Sequence, residues 1–195
     1  MSLKSKTLMI LASPVGRILS DRLFLKLKYW LLLGYRLNLD SPKAFTEQIQ
    51  WLKLNDRNPK YHTLVDKLKV KDYVRRIIGD EYVVPILGIW DRAEDIDWDV
   101  LPDKFVLKCT HDSGSTIVCH DKSAFDCGKA CKSLSEALRQ DYYWRDREWA
   151  YKGVQPKIIA ERYLGDDVPD YKFFCFNGKP EFMYVASERG IEGTE

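Results

Sequence analysis

The hydrophobic pattern changes character along the chain. From 23 to 37, "LFLKLKYWLLLGYRL", apolar residues dominate and Lys26, Lys28 and Arg36 interrupt them. The uncharged runs are much shorter than a membrane span, so this stretch is predicted as a helix packed on a core, with an interfacial helix on anionic lipid as the alternative. In "SPKAFTEQIQWLKLND", Ser41 before Pro42 or Thr46 before Glu47 can act as N-cap, and Ile49 and Leu52 follow at helical spacing. A second helical rhythm runs from Leu64 through Val74 to Ile78 and stops at Gly79. The period then shortens. Residues 82–84 and 86–90 are strand-like, and "KFVLKCTHDSGSTIVCH" (104–120) reads as strand, small-residue loop and strand. Residues 123–141 predict a Ser-capped helix and "KIIAERYL" (157–164) a strand leading into a loop. Residues 170–187 predict a hairpin turned at Asn177-Gly178. The pattern implies an α+β fold, in which a helical N-terminal segment precedes a mixed or antiparallel sheet with packed helices.

One position in this pattern asks for chemistry. The apolar strand that begins at Phe105 reaches Lys108 and then opens into Ser113-Gly114-Ser115. Lysine is rarely buried without a partner, and successive small residues let backbone N–H groups cradle an anion. The stretch fits neither of the common glycine-rich phosphate motifs. Composition narrows the field. The 195 residues are 45% hydrophobic with a net charge of +2, enough for a real core and too balanced for a nucleic-acid field. The surplus is local, since residues 1–40 hold seven Lys/Arg and two Asp. Five cysteines, an odd number, point to a reduced, cytosolic compartment. Cys127 and Cys131 lack two further ligands at metal-site spacing, so no metal centre is predicted. His111 and Asp112 are chain neighbours that seldom face one another, and are read as loop residues near phosphate rather than as a dyad. Residues 141–153, "DYYWRDREWAYKG", fit a lid, a sugar contact or an aromatic packing corner. Asp95-Ile96-Asp97 follows a polar loop, where a glycosyltransferase metal motif would follow an apolar strand.

The order helix, strand, lysine strand, loop, strand, helix, acidic strand and hairpin resembles the ATP-grasp fold over residues 60–189. Four segments together are similar to the TupA-like ATP-grasp family, named for teichuronopeptide synthesis and found in surface-polysaccharide gene clusters: "SPKAFTEQIQWLKLNDRNPKYHTLVDK", "KFVLKCTHDSG", "YYWRDREWAYKGVQPKIIAERYL" and "DYKFFCFNGKPEF". The resemblance implies ATP as ligand. Lys67 and Lys108 would meet the α and β phosphates, and the Ser113, Gly114 and Ser115 amides would close over the β and γ phosphates. Glu161 would face the ribose or adenine, with the backbone of Arg162 to Leu164 on the adenine edge. Asp170 and Lys172 alternate on one strand face, where Lys172 would reach the γ phosphate and Arg189 the transferring group. Mg²⁺ ligands are expected downstream of this chain, so the ATP-grasp fold is expected to be incomplete.

The resemblance divides the chain into a helical segment (1–60), a linker helix and strands (61–103), a nucleotide subdomain (104–164) and the start of a C-terminal part (165–195). It implies a carboxylate–amine ligase acting on a polysaccharide or lipid-linked saccharide acceptor, cytoplasmic or at the inner membrane face, with residues 23–37 as the membrane contact and no nucleic-acid partner. The alternatives are a glycosyltransferase of the same biosynthesis and an inert nucleotide-binding remnant.

Overall fold

A computed structural model describes residues 8–9, 11, 13–166 and 168–186. The chain divides into two compact units after Arg162. The first opens with helix α1, Asp21–Leu33, where the Ser20 hydroxyl accepts from the Leu23 amide and Gly34, at φ +83°, ends the helix. Its inward side buries Phe24, Leu25, Tyr29 and Leu31 against Leu37 and Leu39. Helix α2, Phe45–Asn55, starts without either hydroxyl cap that the sequence suggests. The Glu47 carboxylate instead accepts from the amides of Asn38, Lys43 and Ala44 at 3.2, 2.9 and 3.1 Å. The carboxylate thus takes the N-cap amide of Ala44 and two amides of the preceding turn, and these three donors hold its pKa below the usual glutamate range. Thr46 meets the Tyr29 hydroxyl instead.

The second helical rhythm is broken into α3, Lys60–Val65, and α4, Lys69–Ile78. Asp66 breaks it. Its carboxylate accepts from the Leu68 and Lys69 amides at 2.9 and 3.2 Å, a local alternative to continuing the helix. Residues 80–82 form a 3₁₀ turn rather than the start of a strand.

The strands that follow are β1 (Ile86–Trp90), β2 (Phe105–Cys109), β3 (Ile117–Cys119) and β4 (Ile158–Arg162), in the antiparallel order β1-β4-β2-β3. Helix α5, Cys127–Leu138, is capped by Asp126, whereas Ser123 lies in the turn before it. Period-two alternation splits the sheet into two faces. Phe105, Leu107, Cys109, Ile158 and Ala160 enter a core closed by Leu134 of α5. Val106, Lys108, Ile159 and Glu161 occupy the opposite face.

Residues 141–153 form a packing corner around helix α6, Tyr143–Asp146. Arg147 is fully buried, its guanidinium 4.4 Å from the ring centres of both Phe24 and Trp144, and it donates to the Gly16 carbonyl at 2.6 Å. The two flanking rings attract a desolvated cation through their π faces. The second unit is a hairpin of β5, Asp170–Phe176, and β6, Lys179–Ala186. Asn177 and Gly178 turn it at φ +51° and +78°, the left-handed pair a tight hairpin needs.

Candidate functional site

Strand register decides which charged groups meet. Val106 stands opposite Glu161 and Lys108 opposite Ile159, so Lys108 and Glu161 are diagonal neighbours on the face turned away from the core. The Lys108 ammonium donates to Glu161 Oε2. A second lysine reaches the same carboxylate from α4. Lys71 Nζ lies 2.7 Å from Glu161 Oε1 and donates to the Val84 carbonyl at 2.7 Å. Glu161 and Lys71 are buried, with side chains only 7% and 10% exposed, while Lys108 is 27% exposed and forms the open side of the cluster. Burial pushes the Glu161 carboxyl up, but hydrogen bonds from Lys108 and Lys71, together with their charges, outweigh it. The group therefore ionises below the ordinary glutamate value and stays a carboxylate at neutral pH.

The loop after β2 has a rigid base and an open tip. Thr110, His111 and Asp112 are buried, whereas Ser113 and Gly114 are exposed. Lys67 ties the base down: its ammonium donates to the Cys109 carbonyl at 2.7 Å and to the carbonyl and carboxylate of Asp112. Its backbone N–H donates to the Thr110 carbonyl. The Ser115 hydroxyl donates to Asp112 at 2.7 Å and accepts from the Cys109 amide at 2.8 Å. Gly114 sits at φ +117°, which a residue with a side chain adopts only under strain, and open space surrounds its Cα.

Of the residues singled out in the sequence, the structure brings Lys108 and Glu161 together. Lys67 and Ser115 are engaged in the loop's own framework, and Ser113 and Gly114 form its tip. The Arg162 amide donates to the Pro85 carbonyl, and its side chain is exposed. Leu164, Asp170 and Lys172 belong to the second unit, where Leu164 is exposed and Lys172 pairs with Asp170 at 2.8 Å. Arg189 lies outside the described residues. His111 does not face Asp112: its Nε2 meets the Gln140 carbonyl at 2.9 Å. Asp95 pairs with Arg92, and Asp97 accepts from the Asp99 amide, so both serve their own turn.

Sequence reasoning missed Lys71. A signal was present, because Lys71 falls three residues before Val74 and so lies on the partly apolar stripe of α4.

A model of the TupA-like ATPgrasp family matches residues 47–193, three quarters of the chain, and includes every residue of this cluster. The chain belongs to the TupA-like ATPgrasp family. Comparison with curated proteins and with solved structures finds no match. Membership supports an ATP-grasp, ligase-like function at the level of the family, with the ATP and Mg²⁺ use general to ATP-grasp proteins. Of the two lysines, Lys108 stands two residues before the exposed small-residue loop, and Lys71 is buried on the far side of the shared carboxylate. No three His, Cys, Asp or Glu side chains converge as a metal site among the described residues. No helix among the described residues is long and apolar enough to cross a membrane.

Proposed function

We propose that this TupA-like protein binds ATP at the Lys71–Glu161–Lys108 cluster and acts as a carboxylate–amine ligase in cell-surface polysaccharide biosynthesis. One observation carries the reading: two lysines from different elements converge on one buried carboxylate, and one of them, Lys108, stands two residues before a loop with a rigid base and an open tip. In such a ligase, a substrate carboxylate oxygen bonds to the γ phosphorus as the bond to ADP breaks. An amine nitrogen then bonds to the acyl carbon, inorganic phosphate leaves with its electron pair, and the amine gives up a proton. The work of this chain in both steps is to hold and neutralise phosphate charge. Lys71 and Lys108 supply the positive charge, Glu161 aims them, and the Ser113 and Gly114 amides offer further donors. Lys67 acts as a positioning residue that fixes the loop.

The acceptor is proposed to be a saccharide or a lipid-linked saccharide. Support comes from a groove of about 400 Å³ whose mostly apolar lining of Ile49, Leu52, Tyr61 and Trp149 also holds the charged Lys53 and Glu148.

Calorimetric titration with a non-hydrolysable ATP analogue tests the nucleotide site. Lys71→Met and Lys108→Met should each raise the dissociation constant roughly tenfold to hundredfold, the loss of one charge-assisted phosphate contact of about 1.5–3 kcal/mol. Lys132→Met, exposed on α5, should leave it unchanged. Equal affinities for all three variants would remove the site. Acceptor-dependent release of ADP, scored against release of UDP from a UDP-sugar, tests the reaction class.

A further inference from the structure

We propose that the outward face of α1 docks on an anionic lipid bilayer, an inference independent of the ligase reading. Leu23, Lys26, Trp30 and Leu33 stand at helical spacings of three, four and three residues and so share one side of the helix. That side points away from Phe24, Leu25, Tyr29 and Leu31, which fill the core. Leu23, Trp30 and Leu33 are 45%, 53% and 45% exposed. A surface helix ordinarily shows water its polar side, whereas α1 is apolar on both.

The charge around this face is basic on balance. Of the two acidic residues among the first forty, Asp21 turns inward to accept from the Tyr143 hydroxyl at 2.5 Å, and Asp40 is paired with Arg22 at 2.5 Å. Lys26, half-buried, lies on the stripe and exposed Arg36 just beyond it, and neither forms an ion pair among the described residues. Apolar side chains, a tryptophan and cations with no acidic counterpart on the stripe complement an anionic interface, where the indole sits at headgroup level and the lysine stem reaches up to phosphate. A second copy of this chain would instead bring the same basic surplus against itself. With 13 residues, α1 is about 20 Å long, which suits lying on a bilayer rather than crossing it.

Co-sedimentation of the full chain with equimolar phosphatidylcholine–phosphatidylglycerol vesicles, against pure phosphatidylcholine, tests the proposal. Binding should be confined to the anionic vesicles and weaken with added salt. Lys26→Gln should lower the partition coefficient about fivefold, and Trp30→Ser roughly tenfold or more. Trp30 is exposed and half-buried Lys26 holds no ion pair among the described residues, so the thermal midpoint should stay that of the parent. If Trp30→Ser shifts it, Leu33→Ser takes its place. Quenching of tryptophan emission by brominated lipid should fall in Trp30→Ser. Partitioning that ignores lipid charge and these substitutions overturns the proposal. So does a lipid-free dimer that Trp30→Ser dissolves while no variant binds vesicles.

Discussion

Replacing Glu161 by Gln keeps the shape of the side chain and deletes the one charge that Lys71 and Lys108 share. At an effective dielectric constant near 20, each ion pair with its charge centres about 4 Å apart is worth roughly 4 kcal/mol before desolvation. Relief of the carboxylate's own burial offsets much of this. Breaking a buried pair by removing one partner costs about 3–5 kcal/mol, because the surviving charge stays buried and unpaired. The lower end applies here. Lys71 is locked at 10% exposure and retains only the Val84 carbonyl, while Lys108, at 27%, can swing into water. We therefore expect a loss of about 3 kcal/mol, or a thermal midpoint lower by roughly 6–12 °C for a chain of this size. Urea unfolding followed by circular dichroism measures it. Lys71→Met in the Glu161→Gln background should restore at least about 1 kcal/mol, since it removes the stranded charge. A loss under about 1 kcal/mol, with additive effects in the double variant, would refute the reasoning and reduce the cluster to a surface ion pair.

The same carboxylate sets a pH dependence: its native pKa lies below the ordinary 4.5, so its contribution is whole above that value and fades as pH falls through the native one, closing the gap between parent and Glu161→Gln in acid unfolding. Alkylation at neutral pH should label exposed Cys175 first and spare Cys109, whose thiol burial pushes up to about 11, until the chain unfolds, as peptide mass mapping would show. Arg147→Ala should cost about 3–5 kcal/mol by emptying the space between Phe24 and Trp144 and removing one of the two arginines beside Asp21; a midpoint within a degree or two of the parent would contradict that account.

Local chemistry carried much of the architecture. Alternation fixed the inward side of Phe105, Leu107 and Cys109, and Asn177-Gly178 could turn only a hairpin, because these signals depend on residues close in sequence. The ordered motifs pointed to the ATP-grasp family for the same reason, each being a short local pattern. Lys108 and Glu161 stood out as a lysine ending an apolar strand and a carboxylate ending another. Their meeting needed the pairing of β2 with β4 across some fifty residues, which no local pattern specifies. Lys67 and Lys71 differ by one helical turn, and the choice between them rested on tertiary structure. Asp66 stops the helix and leaves Lys67 against the loop base, so of the two only Lys71 reaches Glu161. The outward stripe of α1 followed the same logic. Leucines surround that helix, and only its packing against Leu37 and Leu39 determined which of them enter the core and which, with Trp30, face outward.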